Sequence, residues 1–296
     1  MVSPLSSQGG EAIGFVSNSI RERIIVNAEE SIKAGNLDSA LSELQDAVRN
    51  NPAKPEYRTF LFQLLCVMGN WDRALTQLNV VADMDNSALL MAQTYRELLL
   101  CEAFRAEVFM GKRAPLLFGE PNSWLGTLMQ ALEPAAQGRG SEANDIVMGA
   151  MDQATARAGT IDDQPFEWLS DADMRLGPVF EIILNGKYYW VPMDNIAEIS
   201  FTEPEDLRDL VWIPVQVRWV NEGNSIGFMP TRYPGKVTLE DPQSALARKT
   251  DWTDVGGDFY TGSGQRMLTT DGGDFSLLQT RKIVFHDAAD SAVGAE

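Results

Sequence analysis

Histidine is almost missing from this chain: His286 is the single copy in 296 residues. That removes most nucleophile–base arrangements, whose general base is usually histidine, and with them histidine-based zinc sites. Cysteine is nearly as scarce. Cys66 and Cys101 both fall inside apolar helical runs, which predicts buried thiols in a reducing compartment, not a disulfide framework or a metal cluster. Positive charge is short too, with 24 Lys and Arg against 42 Asp and Glu, giving a net charge of −18 and an isoelectric point near 4.4. This balance disfavours nucleic-acid backbones and anionic membrane surfaces, which reward clustered cations, and favours a basic partner peptide. No apolar run reaches the roughly 18 residues that a membrane span needs. The first residues carry no basic region ahead of an apolar stretch, so no secretory signal is expected and the cytoplasm is the default compartment. Neither a phosphate-cradling glycine loop with its Lys-Ser/Thr nor a Gly-x-Ser-x-Gly elbow occurs.

What the chain does have is a repeat. Gly35-Asn36-Leu37-Asp38-Ser39-Ala40-Leu41 recurs as Gly69-Asn70-Trp71-Asp72-Arg73-Ala74-Leu75, an offset of 34 residues. That is the period of a tetratricopeptide unit, two antiparallel helices stacked on the next pair. Each Gly closes a first helix, each Asp suits the amide end of a second, and each Ala lets the two helices approach. Apolar spacing predicts helices over 20–34, 38–50, 55–68 and from Asp72, then a longer one over 87–110 that opens a third, decayed unit. Gly111 ends it, the apolar connector Ala114–Gly119 follows, and two more helices are expected over 123–132 and 141–157.

The texture then changes. The expected organisation is a disordered leader over 1–19, a helical repeat domain over 20–158, an acidic linker over 159–174, a β-rich domain over 175–286 and a flexible tail over 287–296. Within the β-rich part, Val179–Leu184 and Lys187–Val191 flank Asn185-Gly186, the strongest hairpin signal in the chain. Trp212–Val220 alternates as a half-buried strand and turns at Glu222-Gly223-Asn224 into Ile226–Met229. Pro204–Leu210 is read as a short helix, and Arg266–Thr270 with Phe275–Phe285 as a second hairpin across Asp271–Asp274. The fold class is therefore α+β: an α-α superhelix followed by a compact, mostly antiparallel β domain.

Gly256-Gly257-Asp258 and Gly272-Gly273-Asp274 read as tight turns, since a metal site needs more converging oxygen ligands than one Asp per loop. Asp251, Asp254 and Asp258 read as solvated loop charges. Stacked helical pairs line a concave wall with their first helices, a groove for a peptide or an amphipathic helix. On this spacing the groove-facing positions are Ile25, Glu29, Thr59, Gln63, Gln93 and Glu97. Two further polar segments hold Arg175 and the Arg232-Tyr233 pair, residues able to anchor a partner's carboxylate. The alternative is that each arginine pairs with a neighbouring acid and locks its loop. A rival reading is a small-ligand sensor or enzyme on the β domain, built around Arg175, Arg232, Asp251 and Arg266.

The second half carries a likeness. Arg175-Leu176-Gly177-Pro178, Asn185-Gly186-Lys187-Tyr188, Trp190-Val191-Pro192, Pro204–Trp212, Pro230–Gly235, Thr250-Asp251-Trp252 and Gly264–Leu268 follow one another as in the ImpE family, also called TagJ or SciE, of bacterial type VI secretion. The resemblance covers roughly residues 25 to 285. It implies a non-catalytic cytoplasmic adaptor without a cofactor, one that binds the N-terminal helix of the small sheath subunit TssB and stands beside the ClpV ATPase.

Overall fold

The computed structural model describes residues 26–119, 122–235 and 240–286. The expected leader, the expected tail and Ile25 lie outside them. Helix α1 runs through 26–33, and α2 (Leu37–Asn50), α3 (Pro55–Val67), α4 (Trp71–Met84) and α5 (Leu89–Phe109) follow. Gly35 and Gly69 adopt φ of 80° and 66°, so the repeated glycine makes the left-handed turn between paired helices at no steric cost. The cap of α2 is two residues earlier than the aspartate: Asn36 accepts the Ser39 N–H at 3.3 Å, and Asp38 lies in the first turn. Ala40 and Ala74 are fully buried, as close helix approach requires.

α5 opens a third pair, and among the described residues a strand, not a second helix, follows it. Gly111 turns away at φ 70°, where a Cβ would fall 2.5 Å from the backbone of Glu133. Leu116–Leu117 (β1) then joins the sheet, and α6 (Ser123–Gln130), α7 (Leu132–Ala136) and α8 (Gly140–Met151) complete the helical part. The expected helix over 141–157 stops at Met151.

The acidic stretch over 159–174 is not a linker. It contains β2 (Gly159–Ile161), β3 (Gln164–Phe166) and β4 (Leu169–Asp171), because Ile161, Phe166 and Leu169 are buried in a core that holds their strands. The hairpin β5 (Val179–Leu184) and β6 (Lys187–Pro192) forms on the expected turn, with φ of 50° at Asn185 and 71° at Gly186. β7 (Ile196–Phe201), β8 (Trp212–Trp219) and β9 (Asn224–Pro230) follow. Residues 204–210 make turns, not a helix: Asp209 accepts the N–H groups of Glu205 and Asp206, and Asp206 that of Arg208, which competes with helical bonding. After the short α9 (Pro242–Ala245) comes a hairpin whose turn was read from the sequence but whose strands were not, β10 (Thr250–Asp254) with β11 (Tyr260–Gly264). Its turn uses Gly256, Gly257 and Asp258, all at positive φ. β12 (Met267–Thr270) turns into β13 (Gly273–Ser276), whereas β14 (Lys282–Phe285) leaves that hairpin to pair with β7 and β2.

The main sheet has the order β1-β6-β5-β9-β8-β7-β14-β2-β3, all neighbours antiparallel except β1 and β6. Along β8, Ile213, Val215 and Val217 enter one core with Phe180, Val191 and Ile283. Trp212 points the other way, into a core shared with the helices that includes Leu44, Phe62, Leu78, Tyr95, Leu125, Tyr188 and Trp190. The two halves therefore bury apolar surface against each other.

Candidate functional site

The first helices of the repeat pairs face the chain's own second half. Arg232 donates to the Cys66 and Val67 carbonyls at the end of α3 and to Ala245 O; Arg248 donates to the Ile32 and Lys33 carbonyls at the end of α1. These are the acceptors a helix leaves open at its C-terminus, where a cation also meets the favourable end of the dipole. Aromatic rings close the rest of the wall: Tyr95 and Trp71 meet Trp212 at 6.0 and 5.7 Å, Phe104 meets Tyr188 at 5.9 Å and Phe109 meets Trp190 at 5.9 Å. The expected open concave face is largely filled from within.

Beneath the wall lies a buried charge network. Arg105 grips Glu181 with two bonds of 2.6 and 2.9 Å, Arg266 bridges Glu181 and Asp171, and Tyr188 donates to Glu181 at 2.5 Å. Burial works to raise the Glu181 carboxyl, but Arg105, Arg266 and Tyr188 overcome it and hold it below the usual range. At Asp171 burial prevails: with Asp173 nearby it lifts that carboxyl to about 6 against the pull of Arg266. Burial also draws Arg232 down to about 10, still cationic at neutral pH. Trp212 Nε1 donates to Glu102, and Tyr233 OH donates to Asp171 at 2.9 Å.

A trough of about 390 Å³ remains open on the repeat side. Ile32, Phe60, Leu207, Leu210 and Leu246 line it with Pro204, and Glu29, Glu205 and Asp206 stand around it with Lys33, Gln63 and Arg248. Lys33 and Arg248 stand among the three acids, and Asp206 is itself paired with Arg208, so the rim carries both signs. Partial burial works to raise Asp206, and the hydrogen bonds from Arg208 outweigh it, so this carboxylate lies below its ordinary value. An apolar floor with a rim of mixed charge is suited to binding a helix that has an apolar stripe and charged flanks.

The predicted site residues divide among three places. Glu29 and Gln63 meet in this trough, and Thr59, half-buried on α3, turns its hydroxyl onto Pro55 O. Gln93 is exposed on α5, and Glu97 lies against Gly186 at the tip of the β5–β6 hairpin. Arg175 pairs with Asp173, while Arg232 and Tyr233 are buried in the junction, their polar atoms bonded within the chain. Arg175, Arg232, Asp251 and Arg266 do not converge on one cavity: Arg266 is 0% exposed, and Asp251 pairs at the surface with Lys249. Phe60, Leu207 and Leu210 were missed. Leu207 and Leu210 carried a signal, two leucines three apart inside an otherwise polar segment.

Comparison with known proteins gives this architecture a context. Residues 163–284 match the model of the ImpE protein family, and residues 31–94 match a tetratricopeptide repeat. The chain is 44% identical over 274 residues to the type VI secretion system accessory component TagJ of Pseudomonas aeruginosa, covering 93% of this chain and 96% of that protein. Its fold matches the crystal structure of protein VPA1032 from Vibrio parahaemolyticus with a TM-score of 0.80 at 21% identity, over 90% of this chain and 99% of that one.

Proposed function

Because the chain belongs to the ImpE family, with a type VI secretion accessory component as a near relative, we propose that it is a non-catalytic cytoplasmic adaptor that holds the N-terminal helix of the small sheath subunit TssB. The observation that carries this reading is the apolar trough between α1, α3 and residues 204–210, shared by the repeat and the family-specific half. Residues Ile32, Phe60, Leu207 and Leu210 take the apolar stripe of the helix, and Glu29 and Glu205 meet its basic residues. Seating that helix sets the sheath beside the ClpV ATPase that dismantles it.

The test is a titration of a labelled TssB N-terminal peptide into the full-length protein. Binding is expected to weaken by at least about tenfold on Leu207→Asp, as for an anchor in a desolvated pocket, and to weaken further with salt. Undiminished binding by a folded Leu207→Asp protein would falsify this placement.

A further inference from the structure

We propose that one face of the β10–β11 ribbon receives an arginine side chain from a basic segment of another protein, its guanidinium lying between Trp252 and Tyr260 and against the Asp254 carboxylate. This goes beyond the helix-binding reading and rests on different residues. The ribbon stands apart from the main sheet as a two-stranded unit. It contains Thr250-Asp251-Trp252, a segment with no part in the trough between α1 and α3.

Register brings the three side chains together. Asp254 stands opposite Tyr260, and Trp252 opposite Gly262. Val255 N–H donates to Phe259 O, and the Tyr260 N–H and C=O turn away from β10 to Met174, the N–H to its sulfur and the C=O to its amide. Residues 255 and 259 are therefore a bonded pair. By alternation Asp254/Tyr260 and Trp252/Gly262 are the closer, non-bonded pairs, with their side chains on one face. Trp252 and Tyr260 are then diagonal neighbours, about 7 to 8 Å apart, a separation that admits one planar group between two rings. Gly262 leaves its own place to Tyr233: a Cβ there would fall 2.3 Å from that ring, which in turn meets Trp252 at 5.6 Å. The buried Tyr233 is a fixed backing for Trp252.

The chemistry favours a guanidinium. Of the three exposed large aromatic side chains among the described residues, Trp168, Trp252 and Tyr260, the last two share this face, at 43% and 42% exposure. Aromatic faces attract cations, and a planar guanidinium stacks on them while its N–H groups reach a carboxylate in a fork that an ammonium lacks. Asp254 is exposed and accepts the Gly256 N–H with one oxygen at 2.7 Å; among the described residues its other oxygen has no donor. The neighbouring cations are already paired: Lys249 with Asp241 and Asp251, Arg175 with Asp173, and Arg139 with Glu142. Asp258, exposed at the turn, adds a further negative charge. The net charge of −18 draws a basic partner and opposes a second copy as the occupant, since its like charge repels.

The experiment uses the full chain and two labelled decapeptides with blocked ends, one alternating Arg and Ser and the other Lys and Ser, followed by fluorescence anisotropy. The arginine probe is expected to bind at least about threefold more tightly than the lysine probe. It is expected to lose about tenfold on Trp252→Ala and on Asp254→Asn, both at exposed positions, and nothing on Leu207→Asp, with each fold verified by melting. The proposal is overturned if the arginine probe fails to bind, if the lysine probe binds as tightly, or if either Trp252→Ala or Asp254→Asn binds unchanged. Loss of the arginine probe on Leu207→Asp would move it to the other trough and overturn the proposal while leaving the helix-binding reading intact. A last variant carries Arg21→Ser and Arg23→Ser. Should it bind the arginine probe about tenfold more tightly than the unaltered chain, the protein's own first residues hold the site and the partner assignment falls.

Discussion

Glu181 is the residue on which the junction turns. It is 0% exposed and receives bonds from Arg105, Arg266 and Tyr188, which belong to α5, the start of β12 and β6. A carboxylate buried this way stays ionised only through those partners, and removing the charge leaves two arginines short of a counterion. Its folded pKa lies below its ordinary value. The stability it contributes is therefore fully present above that ordinary value and is lost as pH falls through the lower, folded one. Glu181→Gln is expected to be less stable at neutral pH, and the gap between the two proteins is expected to narrow toward acid. Melting temperatures taken side by side from pH 7 to 3 check this; a constant gap would count against it.

At the scale of elements, the β5–β6 hairpin links the sheet to the helices. Gly186 has φ 71°, and a Cβ there would stand 2.5 Å from the Glu97 carboxylate of α5. Gly186→Ala is expected to cost about 1 to 2 kcal/mol, from the left-handed backbone and the forced shift of Glu97. Adding Glu97→Ala should return the second share and not the first, which denaturant titration of the single and double variants reads directly. This hairpin was legible in the sequence because its turn type depends on two adjacent residues. The repeat was legible for a similar reason, since Gly35 and Gly69 recur with their neighbours. The strands over 159–171 were not, because Asp162, Asp163 and Glu167 hide three buried apolar residues and the pairing that selects them comes from β14 for β2 and from β12 for β4, both far along the chain. The trough was half legible. Glu29 and Gln63 follow from helical spacing, but Leu207 and Leu210 face them only because the second half folds back over the repeat.

As a whole, the molecule is two sequence textures around a common interior. Trp190 and Trp212 belong to the sheet yet are packed by α5 and α4. Separate unfolding of the halves would expose that shared apolar surface, so one transition is expected. Tryptophan fluorescence and far-ultraviolet circular dichroism should give coincident denaturation curves; helical signal that outlasts the fluorescence change would show an independent repeat domain.

The clamps on the helix ends also set an order of events at birth. Arg232 is synthesised 165 residues after Val67, and Arg248 216 residues after Ile32. At bacterial elongation speeds of about 5 to 20 residues per second, the nascent repeat waits roughly ten to forty seconds with its carbonyl ends bare and its aromatic wall uncovered. The last-made segment then closes what the first-made segment left open.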